Sequence, residues 1–203
     1  MDKLAKVVSV ILHPLFILNL GLFSMLRYHP YFLSKFYDGQ FYSISLFIAI
    51  NTLVMPLLSV YLLKRFKFID DFQISNPKQR LMPYGIIAIL LTFTTYQLYK
   101  NEIKGLPIHF LMATIICIIF NILLNIKFMV SSHTIASGGL VGLYMFLTIG
   151  KHISTFNPWL IIAVLLSGIS AWSRLQLKAH SESQVYIGFL SGLTIVMLTL
   201  WIA

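Results

Sequence analysis

Acidic residues are scarce in this chain: six aspartates and glutamates in 203 residues. A carboxylate-rich site for divalent cations would consume most of them. Cysteine is scarcer still, since Cys117 stands alone inside an apolar run. It can form no intramolecular disulfide and no thiolate metal cluster. Charge of either sign is thin, at 10% of residues against 58% hydrophobic. A water-soluble domain of this size needs far more polar surface to cover its core. These shortages disfavour a soluble protein and point to an all-α, polytopic membrane helix bundle, one domain over 1–203.

What charge there is leans one way. Fifteen lysines and arginines against six acids give a formal net charge of +9. In a membrane bundle that excess suits anionic lipid headgroups or an anionic substrate. Nucleic acid fits poorly, because the basic residues form no stripe on a soluble face. The sequence indicates no cofactor and names no partner subunit.

A span needs roughly 20 mainly apolar residues. By that measure seven transmembrane helices are expected, at about 7–26, 41–63, 83–99, 106–126, 133–150, 158–173 and 184–202. Lys3 and Lys6 ahead of the first run imitate a signal peptide, but the run leads into Phe23-Ser24-Met25-Leu26-Arg27-Tyr28 with no small-residue cleavage site. A retained span is the expectation. Ten basic residues then fall on the side carrying the 64–82 loop and the turns near 127–132 and 174–183, against five on the other. Lys78, Arg80, Arg174 and Lys178 are candidates for a functional site, and without them the count is six against five. The positive-inside rule then decides nothing.

Three polar clusters share the more basic side. They are Asn76-Pro77-Lys78-Gln79-Arg80 before the third span, Ser131-Ser132-His133-Thr134 at the start of the fifth, and Ser173-Arg174 through Lys178 to His180 between the last two. The threading lets two histidines, two arginines, a lysine and several hydroxyls converge at one membrane face. Such a set is a cage of donors around an anion, with two groups able to move protons. His133 and His180 each stand where a helix should begin, and unpaired backbone N–H groups there favour a negative group. A phosphoryl group has three anionic oxygens, which Arg forks match.

These residues carry a resemblance. Ser173-Arg174, five residues and His180, followed by Val185 and Gly188, resembles the third signature of the type 2 phosphatidic acid phosphatase family. Ser131-Ser132-His133 is similar to the second, and Lys78 with Arg80 occupies the place of the first. The likeness covers a phosphatase-like core at about 76–203. That family is a membrane helix bundle of metal-independent phosphatases acting on lipid phosphates or prenyl pyrophosphates. The resemblance implies that His180 forms a phosphohistidine and His133 protonates the leaving group. It implies that Arg174, Arg80, Lys78, Ser131, Ser132 and Ser173 hold or flank the phosphoryl oxygens. It further implies a lipid phosphate or polyprenyl phosphate as substrate, with no metal and no cofactor. A bacterial inner membrane is the expected location.

The chain departs from the pattern in three places. Gln184 stands where the family has an Asp that orients the nucleophile and stabilises its growing charge; an amide orients without supplying charge. Val130 and Ser132 replace the proline and glycine of the second signature. In the first, Gln73 stands where the family lysine falls if Arg80 is aligned. Two functions follow: a lipid phosphate phosphatase, or a diverged, non-catalytic member that binds lipid phosphates or serves a membrane complex. Other polar positions have plainer readings. Lys64, Arg65 and Lys67 are topological anchors, and His13-Pro14 and Asn51 fix a kink or helix packing. Gly138-Gly139 and Gly188 with Gly192 are close helix contacts.

Overall fold

The computed structural model describes residues 1–36, 38–72, 74, 76–125 and 128–202, with the side chains of all of these except Leu33, Asp38, Pro77 and Lys78. Among the described residues the chain is helices joined by turns and loops, with no strand. The α-helices are α1 Asp2–Ile11, α2 Pro14–Tyr28, α3 Pro30–Lys35, α4 Asp38–Ala49, α5 Met55–Arg65, α6 Leu81–Lys100, α7 Leu106–Asn125, α8 Ser132–Met145, α9 Asn157–Gln176 and α10 Glu182–Ile202. A π-helical segment, Ile50–Val54, joins α4 to α5, and another, Phe146–Gly150, extends α8. Six of the resulting rods are long and apolar enough to cross a membrane, and α1 with α2 makes a seventh if that bent pair is one span. The chain is a polytopic membrane helix bundle.

The first span is not the single helix expected at 7–26. It is two helices meeting at 45°. Pro14 has no N–H to continue the ladder, and its ring pushes the residue before it into extended backbone. His13 accordingly has φ −62° and ψ 142°, and its Nδ1 accepts the Leu15 N–H at 3.3 Å, capping α2. His29-Pro30 repeats the device between α2 and α3. The kink expected of His13-Pro14 is therefore present, and it divides the span.

The π-helical segment in the second span has a comparable cause. Pro56 cannot donate to the preceding turn, while Asn51 Nδ2 and Thr52 Oγ1 donate to the carbonyls of Phe47 and Ile48 at 2.9 and 2.8 Å. A wider turn accommodates the ring and the occupied carbonyls.

Helix α8 is central, with α10, α9, α2 and α7 packed against it. Apolar side chains gain little from leaving lipid for one another, so close backbone approach holds such helices together. The glycines supply it. A Cβ on Gly138 would meet the Phe189 carbonyl of α10, and one on Gly192 would meet the Ile135 carbonyl of α8. Gly188 backs onto Thr134 and Ser131 in the same way. This seam fixes the start of α8 against the start of α10, where both candidate histidines lie.

Candidate functional site

His180 is delivered by a sharp reversal. Helix α9 ends with Lys178 N–H donating to Leu175 O and Ala179 N–H to Arg174 O, at 2.9 and 3.1 Å. This paired closure needs a left-handed residue, and Lys178 provides it at φ 50°. Three residues later α10 begins. Ser181 gives its carbonyl to the first helical N–H, from Val185, and Gln184 Oε1 reaches back to accept the Ser181 N–H at 3.0 Å. That reach is one half of a capping box. Lys178, expected among the charged site candidates, thus works through its backbone.

Two oxygens hold the His180 ring. Met129 O lies 3.2 Å and Gln184 Oε1 3.3 Å from Nδ1. Both accept, so Nδ1 carries the proton and Nε2 keeps its lone pair. Burial, and after it the nearby Arg174 cation, lowers the His180 pKa below the ordinary imidazole value; the Gln184 and Met129 bonds pull the other way. Burial and the Arg174 cation thus favour the neutral ring, with Nε2 unprotonated.

Arg174, in the last turn of α9, is 9% exposed. Its Nη1 donates to Ser9 Oγ at 2.7 Å, and its buried Nε has no partner among the described residues. Ser9 sits on α1, and its carbonyl accepts His133 Nε2 at 3.0 Å while its hydroxyl lies 3.4 Å away. The His13 ring stands edge-on to the His133 ring with centroids 5.6 Å apart. One serine from the first helix thereby touches both Arg174 and His133.

Arg80 approaches from the other flank. It is 8% exposed, donating through Nε to Ile74 O at 2.9 Å and through Nη1 to Asn125 Oδ1 at 3.1 Å. Asn125 is held in turn by Asn121, whose Nδ2 donates to Ser132 Oγ at 2.9 Å. Ser132 Oγ also shares a proton with Tyr84 Oη at 2.7 Å. A polar chain thus runs from Arg80 to the residue beside His133. The Arg80 charge acts on both Arg174 and His180.

The structure therefore gathers His180, Gln184, His133, Arg174 and Arg80 at one end of the bundle. The serines are engaged differently. Ser131 is fully buried and caps α8, its Oγ 3.5 Å from the Thr134 nitrogen, and its N–H meets Gln184 O at 3.4 Å. Ser173 turns its hydroxyl back to Ser170 O at 2.8 Å within α9. Ser132 serves the asparagine chain. The Lys78 side chain and all of Gln73 lie outside the described residues.

Sequence reasoning did not nominate Ser9, Asn121, Asn125 or Tyr84, and gave His13 only a kink. A signal was present: Ser9 with His13, and Asn121 with Asn125, are polar pairs one helical turn apart inside apolar runs, so each pair shares a face. Chemically the arrangement offers two cations, a neutral imidazole with a fixed tautomer and a second imidazole. Among the described residues no three His, Cys, Asp or Glu side chains come together as a metal site would need. Comparison with protein-family models, curated proteins and solved structures finds no match to the chain.

Proposed function

We propose that this chain is a membrane phosphatase-like protein that hydrolyses a lipid phosphate or polyprenyl (pyro)phosphate through a phosphohistidine on His180. The observation that carries the reading is a charge imbalance. Arg80 and Arg174 are both buried, yet the side-chain hydrogen bonds of both go to neutral oxygens: Ser9 Oγ for Arg174, and Ile74 O and Asn125 Oδ1 for Arg80. Burying a guanidinium without an anion costs several kcal/mol, on the order of the desolvation penalty of one ion. A phosphoryl group supplies the missing charge, and the free Arg174 Nε is a donor awaiting an acceptor.

In this reading His180 Nε2 attacks phosphorus and the bond to the lipid oxygen breaks. His133 gives that oxygen a proton and recovers it from the water that later cleaves the N–P bond. Arg80 and Arg174 hold the charge that builds on the phosphoryl oxygens. The substrate in this reading is a lipid because the site residues stand at the ends of helices able to cross a membrane, and a bacterial inner membrane is the proposed location.

A second reading, binding without turnover, draws on two observations. Gln184 gives His180 no negative charge and is shared with the helix cap. The proton on His133 Nε2 is already directed at Ser9 O. Purified protein incubated in EDTA with phosphatidic acid or a polyprenyl phosphate separates the two. Release of inorganic phosphate supports hydrolysis; saturable binding without release supports the second reading.

A further inference from the structure

Helix α1 stands in the way of any anion entering this site. Ser9 Oγ takes the Arg174 Nη1 proton at 2.7 Å, the position a phosphoryl oxygen would claim, and Ser9 O takes the His133 Nε2 proton at 3.0 Å. The carbonyl is free to do so because of the break at Pro14. An unbroken helix would direct the His13 N–H to Ser9 O, but that N–H goes to Val10 O at 3.2 Å instead. The same break makes a hinge, since no helical ladder crosses from α1 to α2 at the 45° bend.

The rest of α1 is lightly fastened. It packs on α9, where Asp2 Oδ1 accepts Gln176 Nε2 at 3.2 Å on an exposed surface. Ala5 and Ser9 are the buried residues of the helix, while Leu4, Val7, Val10 and Ile11 are exposed. A helix with that outward face can swing in the lipid without exposing apolar surface to water.

We propose that α1 is a displaceable plug: Ser9 occupies the anion seat between Arg174 and His133, and phosphate enters only when α1 turns outward about His13-Pro14. The idea rests on the phosphoryl reading above and adds its regulation. With the site empty, Ser9 occupies Arg174 Nη1 and His133 Nε2 until a substrate competes for these two donors, while Arg174 Nε stays open. Substrate affinity is then the difference between the phosphate contacts and the Ser9 contacts that they replace.

The test uses the full chain in a Cys117→Ala background carrying Asp2→Cys and Gln176→Cys, joined by a short bis-methanethiosulfonate whose two disulfide links reduction cleaves. Inorganic phosphate is titrated calorimetrically into the cross-linked protein and into the same sample after reduction. The plug predicts binding at least about tenfold weaker when cross-linked, recovered on reduction, because one or more charge-assisted bonds cannot form. In the uncross-linked protein Ser9→Ala should tighten phosphate binding by removing the competitor at Arg174. Equal affinity in the cross-linked and reduced forms overturns the plug while leaving the phosphoryl site standing. Weaker binding in Ser9→Ala overturns it too, since Ser9 would then be a ligand. No phosphate binding in any form, Ser9→Ala included, overturns the plug and the phosphoryl reading together.

Discussion

Gln184 Oε1 sits 3.3 Å from His180 Nδ1 and 3.0 Å from the Ser181 nitrogen, so one amide oxygen both orients the ring and caps α10. It fixes the tautomer but cannot neutralise an imidazolium. Gln184→Asp should raise phosphate release at least about tenfold, since a charged partner contributes a few kcal/mol to such a transition state. Gln184→Glu adds the same charge at unchanged side-chain length, so it should also keep the cap and the melting temperature. If neither variant gains turnover and both bind inorganic phosphate more weakly, the site is tuned for binding, with like-charge repulsion as the cause.

The pH response of His180 follows from its environment. Burial and Arg174 lower its pKa in the folded protein. As pH falls through the ordinary imidazole value the unfolded chain takes its proton first. Stability from the neutral ring is thus present above that value and lost as pH falls toward the folded-state pKa. The acid limb of phosphate release should lie below the ordinary imidazole range, and Gln184→Asp should move it upward. A pH–rate profile for the two proteins reads both, and an acid limb shifted above that range in wild type counts against a neutral nucleophile.

Arg174 separates a ligand-binding cation from a structural one. Arg174→Gln removes a buried charge that donates to the neutral Ser9 hydroxyl and leaves an amide able to reach toward it. Phosphate affinity should fall about tenfold or more, while the melting temperature holds or rises, because replacing an uncompensated buried ion is often neutral to stabilising. A large drop in melting temperature would mark Arg174 as a fold anchor.

The α8–α10 seam makes a matched pair of tests. Gly192→Ala places a methyl group on the Ile135 carbonyl, whereas Gly168 on α9 has nothing within 4 Å of an added Cβ. The first should lower the melting temperature and weaken phosphate binding by parting the starts of α8 and α10. The second should do neither, and serves as its control in the same thermal scan.

How far the sequence could be read depended on which signals are local. Span positions follow from apolar run length, so six of the rods lie where hydropathy puts them. The shared position of His133, Arg174 and His180 at helix ends was readable because a polar residue there is conspicuous in this apolar chain. Ser9 was not, because its role depends on a carbonyl released by a proline five residues on and on an arginine from α9. The Arg80 arm was hidden for a similar reason: Asn121 and Asn125 look like ordinary in-span amides until α6 is packed beside α7. Spacing marks Ser173 but not its rotamer, and in the fold its hydroxyl donates back into its own helix, to Ser170 O.

The central claim is a covalent bond between His180 Nε2 and phosphorus, and it can be trapped. Wild type and His180→Ala are mixed with a lipid phosphate labelled on phosphorus and quenched with alkali, in which phosphohistidine survives and phosphoserine does not. The digested chain is then searched for label. The account predicts label on the peptide bearing His180, lost on brief acid treatment and absent in His180→Ala. Turnover without a labelled histidine, or label that persists in His180→Ala, would contradict it.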